Sequence, residues 1–123
     1  MNILLIEPDR DLGLTVSKWL DSEGWKTQVV HNSQNALDQL DKNTYDHIIL
    51  ELVMPGSNGV EFLQEVRSYP DWHDIPCIVY TRANLGDLEL PDSVMDDLNI
   101  HKVLHKSKDT LADLSSEIKA LDK

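Results

Sequence analysis

Short apolar runs recur along the chain and alternate with segments of helical periodicity. The runs are short enough for buried strands, and the segments between them place apolar residues three or four positions apart. Strands that alternate with helices of this length predict an α/β domain, in which a doubly wound parallel sheet has helices on both faces. The runs span residues 3–6, 27–30, 48–50, 77–80 and 103–104.

Trp19 lies on the apolar stripe of the first predicted helix, together with Leu12, Val16 and Leu20. We therefore expect its indole in the core. Ser33 is the expected N-cap of the second helix, because its hydroxyl can accept a hydrogen bond from a backbone N–H of the first turn. The stripes of the third and last helices comprise Val60, Leu63 and Val66, and then Leu111, Leu114, Ile118 and Leu121.

Pro91 interrupts an irregular region between the fourth and fifth strands. A proline inside a helix removes a hydrogen bond and clashes with the preceding turn, at about 3 kcal/mol, but it is tolerated in the first turn. We therefore expect a loop up to Leu90 and a short fourth helix over residues 91–98. Asn99 suits the left-handed position that closes a helix.

The overall composition indicates one soluble domain over residues 1–123. The formal net charge of −11 argues against direct nucleic-acid binding through a basic face. The chain has no apolar run of the length that a membrane span needs, and it begins without a basic leader segment. Cys77 is the single cysteine and has no partner for an internal disulfide. These features predict a cytoplasmic protein.

Glu51 ends the third apolar run and is followed by a turn signalled by Pro55, Gly56 and Gly59. Open α/β sheets keep their chemistry beyond the carboxyl ends of such strands. The segment 45–59 resembles the phosphoacceptor segment of bacterial receiver domains, the response regulators of two-component signalling. In that family the strand ends in Asp, and Met-Pro-Gly follows shortly after. The acceptor position here holds Glu.

The resemblance extends over essentially the whole chain and implies the flavodoxin-like strand order 2-1-3-4-5. After the first strand the family places adjacent acids that hold magnesium. The corresponding residues here are Glu7, Pro8 and Asp9, so the middle acid is missing. Thr81 matches the residue that binds the phosphoryl group at the end of the fourth strand. Lys106 matches the lysine at the end of the fifth.

Two further positions depart from the family pattern. Ser107 replaces the proline that normally follows the conserved lysine, and Val103 replaces an aromatic residue that often turns inward on activation. By this resemblance the chain is an atypical receiver, or pseudo-receiver.

The substitutions have consequences for magnesium and for phosphorylation. Magnesium demands near-octahedral oxygen coordination, so an ion held by Glu7, Asp9 and Glu51 is expected to bind weakly or not at all. The extra methylene moves the Glu51 carboxylate outward by about 1.5 Å. Glu51 is then a poor phosphoacceptor that can reach Lys106 or Thr81. Whether it mimics the phosphorylated state or is only a structural ion pair stays open.

The predicted function is a phosphorylation-independent regulatory or protein–protein interaction module in signal transduction, and not an enzyme. The alternative is a conventional phosphoaccepting response regulator that depends on magnesium, such as the receiver of a transcription regulator. A flavodoxin-like electron carrier is rejected, because the acidic loop 7–11 would repel a flavin phosphate.

The resemblance implies a protein partner on the face formed by the fourth helix, the fifth strand and the fifth helix, the last over residues 108–121. That partner is a histidine kinase or an effector domain, and homodimerisation stays open. Trp72 is a second candidate for a partner contact. Most of the five histidines are expected at the surface, without metal-ligand spacing.

Overall fold

Five parallel strands form the central sheet of the computed structural model, which describes residues 1–83 and 90–122. A separate two-stranded hairpin follows the third strand. In chain order the strands are β1 (Asn2–Ile6), β2 (Lys26–Val30), β3 (His47–Leu50), β4 (Val53–Met54), β5 (Ser57–Asn58), β6 (Cys77–Thr81) and β7 (Ile100–His105). The order in the sheet is β2-β1-β3-β6-β7. Because β6 and β7 are the fourth and fifth strands of this sheet, the order is the 2-1-3-4-5 that the family resemblance implies. The doubly wound, flavodoxin-like sheet is thus confirmed.

In the described part of the chain, five helices cover the two faces of the sheet. They are α1 (Arg10–Ser22), α2 (Ser33–Lys42), α3 (Gly59–Arg67), α4 (Asp92–Asp97) and α5 (Leu111–Leu121). Successive strand residues point to opposite faces. Leu4 and Ile6 therefore pack in one core cluster with α2 and α3, while Ile3 and Leu5 pack in a second cluster with α1 and α5. Because both of their faces are buried, the inner strands β1, β3 and β6 read as nearly continuous apolar runs, whereas the edge strands β2 and β7 also carry exposed polar residues.

Side chains cap the N-termini of α1, α2, α3 and α5, whereas α4 begins after Pro91 without a side-chain cap. Asp9 is the N-cap of α1, and its Oδ1 accepts from the Leu12 N–H at 3.1 Å. The prediction that Ser33 caps α2 is wrong, because Asn32 is the N-cap and accepts from the Asn35 N–H at 2.8 Å. Asn32 has the extended backbone that a cap requires, whereas Ser33 is already helical.

Trp19 is not in the core as predicted, since 37% of its surface is exposed. Val16 and Leu20 fill the core-facing positions of the stripe and are fully buried. The indole Nε1 instead donates to Ser115 Oγ of α5 at 2.6 Å. An amphipathic ring in this position covers the seam between α1 and α5 and keeps a partner for its N–H.

The irregular region behaves as predicted where the structure describes it. Pro91 precedes α4, and Asn99 adopts a left-handed φ of 52° directly before β7. Residues 84–89 of the predicted loop lie outside the described residues. The last helix begins at Leu111 rather than at residue 108, because Thr110 forms a capping box with Asp113. No described helix has both the length and the apolar composition that crossing a membrane requires.

Candidate functional site

Glu51 follows the last residue of β3, at the carboxyl edge of the sheet. Its backbone N–H donates to the Ile6 carbonyl at 3.0 Å, so the chain is still tied to β1 at this point. The residue is only 2% exposed. Its side chain is therefore buried at the carboxyl edge of the sheet, where the strands β1, β6 and β7 also end.

Two glycines shape the loop after Glu51. Gly56 has a φ of +73° in the turn between β4 and β5, which suits the Pro55-Gly56 pair of a tight turn. Gly59 begins α3 against the backbone of Leu52. A Cβ at Gly59 would lie 2.8 Å from Leu52 Cα, so only glycine allows this approach.

Both carboxylate oxygens of Glu51 are fully engaged by hydrogen-bond donors. Oε1 accepts from Lys106 Nζ at 2.8 Å and from the Arg82 backbone N–H at 3.0 Å. Oε2 accepts from the Val53 backbone N–H at 3.1 Å and from the Thr81 hydroxyl. Burial raises the pKa of Glu51, but the hydrogen bonds from Lys106, Thr81 and the two backbone groups outweigh it and lower that pKa below its ordinary value.

Lys106 joins Glu51 to Glu7. The Lys106 ammonium contacts Glu7 Oε1 as well as Glu51 Oε1, and its side chain is 14% exposed. It also lies 5.6 Å from the centre of the Tyr80 ring. The other oxygen of Glu7 accepts from the Asp9 backbone N–H at 3.0 Å. One lysine ammonium thus pairs with both buried carboxylates at this corner.

The residues at this corner do not fit a magnesium ion. The carboxylates of Glu7 and Glu51 are taken by Lys106, and Pro8 offers no side-chain ligand. The carboxylate of Asp9 caps α1 instead of turning toward the other two acids. In residues 1–83 and 90–122 no group of three or more His, Cys, Asp or Glu residues could hold a metal ion. The expected convergence of three acids is therefore not found.

The structure brings together four of the five residues that the sequence nominates. Glu7, Glu51, Thr81 and Lys106 form one hydrogen-bonded network. Asp9 is exposed and makes no hydrogen bond to these four side chains, although it lines the same cavity of about 480 Å³ as Glu7, Glu51 and Lys106. The network links segments up to 99 positions apart in the chain.

Sequence reasoning missed the backbone N–H groups of Val53 and Arg82, because a backbone donor leaves no trace in residue identity. It also missed two buried histidines, His47 and His105. His47 Nε2 lies 3.7 Å from Asp122 Oδ1. Burial is the main cause of the lowered pKa of His47, and Asp122 partly offsets it. The other three histidines are at least partly exposed, as predicted.

The sheet order and the residues at the strand ends define a receiver domain. The family model "Response regulator receiver domain" matches residues 3–118. The chain therefore belongs to the response regulator receiver domain family.

Individual relatives agree with this assignment. The chain is 37% identical to the transcriptional regulatory protein CpxR of Klebsiella pneumoniae over 79 residues, which cover 64% of this chain and 32% of CpxR. It thus spans about a third of the length of the curated relatives it matches.

Solved structures resemble the chain over nearly its full length. A sensor protein from Polaromonas sp. JS666 has a TM-score of 0.83 and 27% identity, with 98% of this chain and 95% of that one covered. The response regulator TrrA of Thermotoga maritima, in complex with Mg(2+)-BeF, has a TM-score of 0.80 and 24% identity, with 98% and 97% covered. The second likeness shows the fold alone.

Proposed function

We propose that this receiver domain is an atypical one that acts without phosphorylation, as a regulatory or protein–protein interaction module in two-component signalling. The observation that carries the proposal is the state of Glu51. Its carboxylate already accepts hydrogen bonds from Thr81 and Lys106, the two residues that match the family's phosphate-binding positions. The donors that would receive a phosphoryl group are occupied by the protein's own side chain.

Phosphoryl transfer to Glu51 is disfavoured by position and by charge. In-line transfer depends almost wholly on positioning and on neutralisation of charge around the phosphorus. Here each Glu51 oxygen has two donors within the protein, so neither is free to attack without breaking hydrogen bonds. The oxygen ligands that would hold magnesium are engaged by Lys106 and by the cap of α1.

The same contacts support the idea that Glu51 holds one conformation of the domain. Glu51 ties the end of β3 to the end of β6 through Thr81 and to the residue after β7 through Lys106. The α4–β7–α5 face, the output surface of the family, adjoins these strand ends. It presents an exposed acidic set on α4, namely Asp92, Asp96 and Asp97. We propose this face as the contact for a protein partner, either a histidine kinase or an effector domain, or for a second copy of the chain.

The direct test is incubation with acetyl phosphate and magnesium, followed by intact mass measurement. We expect no stoichiometric gain of a phosphoryl group. The variant Pro8→Asp combined with Glu51→Asp restores two family residues and is the positive control, in which a gain would show that the donor is active. A gain in the wild type that Glu51→Gln abolishes would support the conventional, magnesium-dependent regulator and refute the proposal.

A second measurement separates a mimic of the phosphorylated state from a structural ion pair. Backbone chemical shifts of α4 and β7 are compared between the wild type, Glu51→Gln, Glu51→Asp and Lys106→Ala. If Glu51 sets the conformation of the output face, Glu51→Gln shifts the signals of Leu98 and Val103. Unchanged signals on that face would make Glu51 a structural residue only.

A further inference from the structure

Tyr69 and Trp72 form an aromatic pair on the surface beside α2 and α3. Their ring centroids are 4.7 Å apart, and the ring planes are tilted by 48°. Tyr69 is 45% exposed, whereas Trp72 is half-buried and packs against the core cluster beneath α2 and α3. The pair is thus anchored from below and open to solvent above. Rigid exposed aromatics of this kind are enriched at the centres of protein contacts.

The aromatic pair forms part of a groove of about 330 Å³. Half-buried Leu37 of α2 adds apolar surface. The exposed carboxylates of Asp38, Asp41 and Glu65 complete the lining together with Gln34. Among the described residues, neither Lys nor Arg lines the groove. The size is at the small end of binding clefts, about 300–1,000 Å³, which suits one long side chain better than a whole helix.

The acids of the groove differ in their hydrogen bonding. Asp38 accepts from Gln34 Nε2 at 3.1 Å. Asp41 and Glu65 have no side-chain hydrogen bond or ion pair with the residues that the structure describes. Two exposed carboxylates beside the tilted Tyr69–Trp72 pair therefore combine negative charge with aromatic surface, and both features attract a cationic ligand.

We propose that this groove binds an arginine side chain from a basic segment of a partner protein. A guanidinium is planar, stacks on aromatic faces and pairs with carboxylates through parallel hydrogen bonds, so it matches both parts of the lining. The net charge of −11 steers a basic partner toward the chain, and the carboxylates of the groove disfavour an acidic surface in this position. The groove shares no lining residue with the cavity over Glu51. The proposal is therefore independent of phosphorylation.

The test is a titration of the isotope-labelled protein with a short Gly/Ser peptide that carries two arginines, followed by amide and indole NMR signals. We expect shifts of the Trp72 indole N–H and of the backbone at Leu37, Asp41, Glu65 and Tyr69. A peptide with glutamine in place of arginine should produce none. Shifts that depend on protein concentration without peptide would assign the groove to a second copy and overturn the proposal.

Two kinds of variant make the test specific. Tyr69→Ala, at an exposed position, should weaken binding about fivefold through loss of stacking, and Asp41→Asn with Glu65→Gln should weaken it at least as much. Asp11→Asn with Asp21→Asn removes the same charge from exposed positions of α1 and is the matched control, expected to change affinity less than about twofold. Equal weakening by both double variants would show general electrostatic attraction and refute the proposed site.

Discussion

Arg67, the last residue of α3, donates from Nε to the Leu98 carbonyl just after α4, with a distance of 2.7 Å. Its Nη1 donates to the Trp72 carbonyl at the same distance. The side chain is buried, although burial and desolvation oppose its charge and lower its pKa. Arg67 therefore links both the end of α4 and the segment after α3 to the C-terminus of α3.

Replacing Arg67 tests this link. Arg67→Met keeps the length of the side chain but leaves the Leu98 and Trp72 carbonyls without their donor. We expect the free energy of unfolding to fall by about 2–4 kcal/mol, because hydrogen bonds to a charged group and the desolvation of unpaired carbonyls both contribute. Urea denaturation measures the change. Arg10→Met, at an exposed position of α1, is the control and should stay within about 0.5 kcal/mol of the wild type.

Lys106 should matter for stability because its ammonium pairs with two buried acids. Lys106→Met leaves Glu7 and Glu51 unpaired, and the loss of one partner from a buried charge network costs about 3–5 kcal/mol. Lys108→Met removes an exposed lysine nearby and should have little effect. Adding Glu7→Gln and Glu51→Gln to Lys106→Met should recover most of the loss. If Lys106→Met alone is as stable as the wild type in urea, the two carboxylates do not depend on this cation.

The lowered pKa of Glu51 predicts a dependence of stability on pH. The pKa of Glu51 is higher in the unfolded chain than in the folded protein, so the unfolded chain takes up this proton at a higher pH. The stabilisation by Glu51 is therefore fully present above the ordinary pKa of glutamate, about 4.3, and is lost as the pH falls through the lower folded-state pKa.

Urea midpoints measured at a series of acidic pH values provide the comparison. The stability of the wild type should decline more steeply below about pH 4.3 than that of Glu51→Gln. Glu61→Gln, which removes an exposed carboxylate from α3, controls for the loss of one charge. Parallel curves for the wild type and Glu51→Gln would contradict the assignment of this effect to Glu51.

Gly59 should be intolerant of a side chain. The Cβ of Gly59→Ala would meet Leu52 Cα and Cδ2 at 2.8 Å, so the loop that follows Glu51 must shift. Overpacking of this kind costs about 1–3 kcal/mol. Gln64→Ala, on the exposed side of α3, is the control. Retention of both wild-type stability and the amide signal of Val53 in Gly59→Ala would show that the close approach is not required.

Much of the fold could be predicted because apolar runs and turn residues act locally. The strand ends that carry Glu7, Glu51 and Thr81 follow directly from those runs, and the resemblance to the family adds their order in the sheet. Other features depend on geometry that no pattern records. Neighbouring Asn32 and Ser33 are both good caps, and a single backbone torsion decides between them.

The burial of Arg67 is a second feature that the sequence pattern did not predict. A basic residue in the last turn of a helix is expected to interact with the helix dipole at the surface. Its burial depends on two carbonyls that come from later segments of the chain. The bridging position of Lys106 is likewise set by tertiary structure, since the sequence could place it near Glu51 but did not indicate its second contact with Glu7.

Under the proposed function, the Glu51 carboxylate is a permanent charge at the position where other receivers are phosphorylated. An aspartyl phosphate is a mixed anhydride, and water or a phosphatase hydrolyses it to the carboxylate and free phosphate. The Glu51 carboxylate is instead attached to the chain through carbon–carbon bonds, which neither can break. The charge that Glu51 carries therefore has the lifetime of the protein itself. Degradation of the chain or release of its partner, and not dephosphorylation, would then end the signal.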